Sequence, residues 1–298
     1  MGYDKHFIVG FDVPLPLPSQ RVLDDAVGSD FVHHTRHSLL FSEARGLAYV
    51  TAHNIDGNTL PTGQRTSRNF DWDPKIDEDL QIGNERGYKD DPDHYQRGHL
   101  ARRASLSWGT SASEIAKAKL AEQESDYYTN IAPQEKRMHI AWGRVEDWML
   151  DLATSEQNHR RACVFQGPVF TEEDPEVQIT DGFDPIKVPA GYWKIFAIAR
   201  GDDLRAACFL IWQSDYATPE PLKFAPELEQ VRLTTVEVLT GLKFPKLRGA
   251  DAMIFAANQR RSVETHGARR RRSPSALERA RDAVMRPMII SGPGDIII

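Results

Sequence analysis

The chain is poor in cysteine, in long apolar runs and in net positive charge, and each shortage excludes something. Two cysteines in 298 residues, Cys163 and Cys208, allow at most one disulfide. Each lies in an apolar stretch (162–165 and 206–212), which reads as buried free thiols in strands and favours a reducing compartment; a single disulfide is the alternative. No apolar run approaches the roughly 20 residues that cross a bilayer, so no membrane partner is expected. The N-terminus lacks a basic region followed by an apolar one, so no signal peptide is read. The Met1-Gly2 start lacks the Ser or Thr that a myristoylation site needs. A cytoplasmic location is the expectation, with signal-independent secretion left open. Internal repeats are also lacking.

A net charge of −6 argues mildly against a general polyanion binder, but the distribution matters more. Between 259 and 286, nine arginines face three acidic residues, a local +6 that leaves −12 on the rest. A phosphate-binding face would therefore have to be local. Arg65, Arg68, Arg97, Arg102, Arg103, Lys136 and Arg137 are close enough in sequence to motif-like segments to build one.

The length suits one sizeable core, or at most two domains. Residues 1–30, with Pro14, Pro16 and Pro18, read as an irregular lead-in. A hairpin is expected over 37–51, turning near 43–46, and long polar loops over 57–93. A short strand over 99–102, a helix over 113–122 capped by Ser111 or Ser113, and a strand over 127–130 come next. A helix from His139 to about Thr154 shows helical spacing of Trp142, Val145, Trp148, Met149 and Leu152. Strands follow over 162–170, 193–199 and 206–212, then a helix over 234–240 with Gly241 as its C-cap. The chain thus divides into a unit over 1–248 and a basic, partly flexible tail over 249–298. Within the tail, 269–274 is a breaker-rich basic run, and 289–298 is apolar enough to dock as an added strand.

Two segments carry chemistry. Tyr95-Gln96-Arg97-Gly98-His99-Leu100 sets a cation beside a titratable base, with a glycine that allows close approach. A histidine so placed can take a proton from water near neutral pH, and its arginine can hold a phosphate. Thr129-Asn130-Ile131-Ala132-Pro133-Gln134 follows about thirty residues later. His33, His34 and His37 have metal-like spacing but no accompanying Cys or carboxylate set, and read as a surface or hairpin feature.

These segments resemble the DNA/RNA non-specific endonucleases of the ββα-metal class, the endonuclease G-like group. The family pattern is Asp-Arg-Gly-His, then Asn-x-x-Pro-Gln, then Asn-Gln-x-x-Trp-x-x-Leu-Glu. Here the last block reads Met138-His139-Ile140-Ala141-Trp142-Gly143-Arg144-Val145-Glu146. Further landmarks occur in order: 52–57, Ser67-Arg68-Asn69-Phe70, Gly167-Pro168-Val169-Phe170, Tyr192-Trp193-Lys194 and 240–245. The likeness covers roughly residues 30–247. It implies an α+β fold with a central antiparallel sheet flanked by helices, and metal-dependent hydrolysis of DNA and RNA.

By this resemblance His99 is the general base, and Arg68 and Arg97 contact the scissile phosphate. Glu146 supports the metal's water shell, and Asn130 has a structural role. The side-chain ligand to one divalent metal falls at His139, where the family has asparagine; an imidazole suits Mn, Ni or Zn better than Mg, so Mn is expected first and Mg second. Glu146 lies seven residues on, on the same helix side. Gln96 replaces the family's aspartate. Arg65, Arg102, Arg103, Lys136 and Arg137 are the remaining substrate-binding candidates. A nucleic-acid-binding protein with weakened catalysis on the same scaffold is the alternative. A toxin or defence effector is one deployment, with regulation, oligomerisation or partner attachment through the tail.

Overall fold

Alternation along one long strand dictates how the molecule is layered. In Gly191–Arg200, Tyr192, Phe196 and Ile198 point to one side while Trp193, Ile195 and Ala197 point to the other, and all are buried. A strand apolar on both sides must be covered on both. The computed structural model describes residues 2–61, 69–88, 95–155, 160–213, 228–257 and 287–298, and shows that arrangement.

The strands used below are β1 (Val32–His33), β2 (His37–Ser42), β3 (Leu47–Asp56), β4 (Tyr95–His99), β5 (Ile131–Glu135), β6 (Arg161–Val169), β7 (Gly191–Arg200), β8 (Asp203–Trp212), β9 (Leu228–Val231) and β10 (Met288–Ile290). The principal helices are α1 (Ala112–Ser125), α2 (Lys136–Thr154) and α3 (Leu233–Thr240). Eight strands form one sheet in the order β10-β9-β8-β7-β6-β3-β2-β1. Every neighbouring pair is antiparallel. One face is covered by α3 and by N-terminal residues such as Phe7, Ile8, Val13 and Val22. The other carries α2, whose Met138, Trp142, Val145, Met149 and Ala153 form one buried stripe. Separately, β4 and β5 pair antiparallel and run directly into α2, a ββα unit docked on the sheet. Tyr192 Oη and Gln213 Nε2 both donate to the Pro133 carbonyl, at 2.6 and 3.3 Å, pinning β5 to the sheet.

Several expectations hold. The hairpin turns at 43–46, Ser111 caps α1 through a capping box with Glu114, and Gly241 ends α3 at φ 71°. Both cysteines are buried and free. The C-terminal segment does add a strand, β10, on the sheet edge; Gln230 Nε2 donates to the Ile297 carbonyl at 2.7 Å behind it. The basic run 269–274 lies outside the described residues.

Others need correction. A helix, Gln20–Asp25, forms in the lead-in as soon as Pro18 is passed, burying Val22. The strand expected at 99–102 is β4, and the one expected at 127–130 is a 3₁₀ turn, Tyr128–Asn130, followed by β5. Helix α2 starts at Lys136 because the Glu135 carboxylate accepts from the N–H groups of Arg137 and Met138, at 2.7 and 2.9 Å. His34 and His37 are not surface residues: they are 1% and 0% exposed, their rings stacked at 4.8 Å.

Candidate active site

The site is assembled where β4, β5, the start of α2 and the end of α1 meet. Helix α1 stops at Ser125, and the next residue, Asp126, becomes its C-cap with a buried side chain. His99, the last residue of β4, donates from Nε2 to Asp126 Oδ1 at 2.9 Å. A carboxylate only accepts, so the neutral ring keeps its lone pair on Nδ1, for which the described residues offer no hydrogen-bond partner. The other oxygen of Asp126 accepts from Arg103 at 2.7 Å and from the Asn69 N–H at 3.1 Å. One carboxylate thus orients the histidine, an arginine and the loop that follows Arg68. Asp126 is a candidate site residue that sequence reasoning missed. It belongs to no motif, and its partners come from three separate segments.

His99 is largely enclosed: its side chain is 9% exposed and its ring lies 5.6 Å from that of Phe70. Phe70, with Asn69, Asn84, Arg97, Tyr128 and His139, lines an open cleft of about 570 Å³. Arg97 lies over the Phe70 ring at 4.5 Å and donates to Asn84 Oδ1 at 2.8 Å. The cleft therefore brings together Arg97 and His139, with His99 behind the Phe70 ring rather than on the lining itself. Gln96 also reaches the cleft, opposite Gln134 in the β4–β5 register.

Gly98 has a specific reason. A Cβ there would stand 2.1 Å from the side-chain amide carbon of Gln134, so glycine lets that amide lie across β4. Gln134 Oε1 then accepts from His139 Nδ1 at 2.6 Å. Because an amide oxygen only accepts, the hydrogen of the neutral ring is on Nδ1 and the ligating lone pair is on Nε2. That is the condition under which an imidazole can hold a divalent cation, and the ring lines the cleft. Among the described residues, no group of three or more His, Cys, Asp or Glu is arranged to hold a metal. The family resemblance asks for one protein side chain with waters completing the shell, and His139 fits that requirement.

Glu146, two turns along α2, is tied to cations. Lys194 Nζ donates to its Oε1 at 2.5 Å, and Arg102 Nε lies 3.7 Å from Oε2. Lys194, from the middle of β7, is 2% exposed and stands 4.8 Å over the Trp142 ring. Burial pulls the Lys194 ammonium below its usual range, and the Glu146 carboxylate opposes that shift. A signal for this pair was present in the sequence: a lysine between Trp193 and Ile195 in an apolar strand needs a buried partner.

The remaining candidates divide. Arg102 also pairs with Asp147 at 2.6 Å, and Arg103 with Glu122 at 3.4 Å, so both serve internal ion pairs. Lys136 is exposed at the start of α2; Arg137 is partly exposed and pairs with Glu135 at 3.2 Å. Arg65 and Arg68 lie outside the described residues. Asn130 is structural, as expected: its side chain accepts from the Ala101 N–H and donates to the carbonyls of Ala101 and Ser125.

Comparison with known proteins agrees with this architecture. Residues 21–248 match the DNA/RNA non-specific endonuclease family. The chain belongs to that family. It is 30% identical over 244 residues to an uncharacterized protein, y4fB, of Sinorhizobium fredii (strain NBRC 101917 / NGR234). That match covers 76% of this chain but 34% of the relative, so the chain spans about a third of the curated protein's length. Among solved structures it is similar to a chain of the EndoG/EndoGI complex, which is described as showing the mechanism of EndoG inhibition. The TM-score is 0.53 at 18% identity, over 72% of this chain and 84% of that one, a likeness of fold. No helix among the described residues is long and apolar enough to cross a membrane.

Proposed function

We propose that the chain is a metal-dependent, largely sequence-non-specific endonuclease that hydrolyses phosphodiester bonds of DNA and RNA. The observation that carries this reading is His99 held by Asp126 beside a cleft containing Arg97 and His139. With Nε2–H committed to the carboxylate, Nδ1 is the atom that takes a proton from the attacking water. Arg97, and Arg68 by the family pattern, balance charge on the phosphoryl oxygens, with Lys136 and Arg137 extending the phosphate track. Arg102 and Arg103 act indirectly, by positioning Glu146 and Asp126. A divalent cation, Mn before Mg with Ni or Zn as alternatives, would be held through His139 and supply positive charge at the phosphate. The products expected are a 5′-phosphate and a 3′-hydroxyl.

The test is cleavage of supercoiled plasmid and of RNA in Mn, Mg, Ni, Zn or chelator. His99→Ala should lower the rate by about 10²- to 10⁴-fold, the usual contribution of a positioned base. Equal rates in parent and variant would sink the assignment. The tight Lys194–Glu146 pair favours a second reading, nucleic-acid binding with weakened catalysis, which predicts retention on a gel shift without cleavage in any metal. As deployment we infer a restrained cytoplasmic nuclease, a toxin or defence effector, with the basic segment after 249 as a regulatory or self-association element. Equal activity and oligomeric state in a chain ending at 248 would remove the tail from that account.

A further inference from the structure

A second groove adjoins the candidate active site and differs from it in chemistry. It has a volume of about 470 Å³ and shares Phe70, Asn84 and Tyr128 with the first cleft, so the two adjoin along one wall. Beyond that shared wall it is lined by Trp72 and Phe183, which are 36% and 41% exposed. Trp72 packs at 5.0 Å from the Tyr128 ring and lies over the bare backbone of Gly83, where any Cβ would strike it at 2.1 Å. Phe70 stacks on Tyr128 at 6.4 Å and 20°, continuing the aromatic surface toward Arg97. Large aromatic rings are seldom left in water, and here two flank one groove next to a phosphate-type cleft.

Its charge is opposite to what a phosphate needs. Asp71, Glu78, Asp79 and Glu85 line it, with Arg86 the only arginine or lysine among the described lining residues. A phosphodiester there would be repelled, whereas a neutral base with exocyclic amine donors would not. We propose that this groove is a nucleobase subsite: the substrate's phosphate lies on the Arg97–His139 side, and an unstacked base next to it lies against Trp72 and Phe183. This rests on the nuclease reading for the identity of the ligand, and it adds that the chain engages strands whose bases are free to leave the stack.

The test separates the subsite from catalysis. Fluorescence anisotropy, with chelator present, compares a labelled single-stranded oligonucleotide with an abasic strand of the same length. The parent should bind the intact strand at least about tenfold more tightly, the lower end expected for one base–aromatic stack. Trp72→Ala and Phe183→Ala should each reduce that margin several-fold while leaving abasic binding unchanged, and Trp72→Phe should restore most of it. Phe183 is exposed, so its variant tests the groove even if Trp72→Ala disturbs the loop around it. Equal affinity of the parent for both strands, or an undiminished margin in both alanine variants, would overturn the proposal. Retained margin without cleavage in any metal would sink the catalytic reading alone.

Discussion

One face of the eight-stranded sheet presents Leu40, Val50, Phe165, Trp193, Ile195 and Leu210, all buried, and its buried polar members Ser38 and Asn54 accept hydrogen bonds from the Tyr3 and Asp4 N–H groups. The opposite face of the same strands presents Thr51, Gln166 and Lys194 in cross-strand register, with the His37–His53 pair in the adjacent row. Thr51 Oγ1, both amide atoms of Gln166 and His53 Nδ1 are buried without a hydrogen-bond partner. His34 Nε2 lies 2.9 Å from Asp73 Oδ2 beside them. Such groups are costly to bury. Among the described residues, Thr51, Gln166 and His53 lie on the face where Lys194 reaches Glu146, and no unpartnered buried side chain lies on the face covered by α3. The difference teaches that one face supplies stability, while the other gives some up to hold polar groups under the candidate site.

The largest expected effect tests the apolar face. Trp193→Ala should destabilise the fold by about 3–5 kcal/mol in denaturant unfolding while leaving the rate per folded molecule unchanged. A loss of specific activity with stability intact would break the division between the faces. Next, Lys194→Met on the polar face leaves Glu146 with its other cation, Arg102, at 3.7 Å. It should cost about 3 kcal/mol, the low end for breaking a buried pair, and part should return in the Lys194→Met/Glu146→Gln double variant. A double variant no more stable than the single would mean that the pair contributes little.

A third measurement sharpens the comparison through pH. Burial, helped by the charge of Lys194, depresses His53 to about 3; burial, with His34 and His53 nearby, puts His37 well below its usual range. The folded state therefore refuses protons that the unfolded state accepts. Stability from these two groups is complete above an unfolded pKa of about 6.5 and declines as pH falls below it, by about 1.4 kcal/mol per pH unit for each histidine. Urea unfolding at pH 7, 6 and 5 should show that slope, reduced in His53→Gln. An unchanged slope in the variant would acquit His53.

Much of the sheet could be read in advance, because β6, β7 and β8 are long and apolar. The ββα unit was harder. Pro133 sits inside β5, and proline ordinarily argues against a strand; here it faces Arg97 in a two-stranded ribbon, which tolerates it. Glu135 is an unusual cap, so α2 begins at Lys136, three residues before the His139 that periodicity alone marks. The histidines at 34 and 37 looked superficial because the carboxylate near them, Asp73, comes from a distant loop.

By itself the sequence determined the family and the strand and helix periodicity. It also marked the chemistry-bearing pair Arg97 and His99, because short motifs and alternation are local properties of a chain. Only the tertiary structure decided that Asp126 orients His99, that Gln134 selects the tautomer of His139, and that Lys194 claims Glu146. Hydrogen bonds and ion pairs act over a few ångströms, and apart from the five-residue Gln134–His139 step these partners lie 27 and 48 residues apart along the chain.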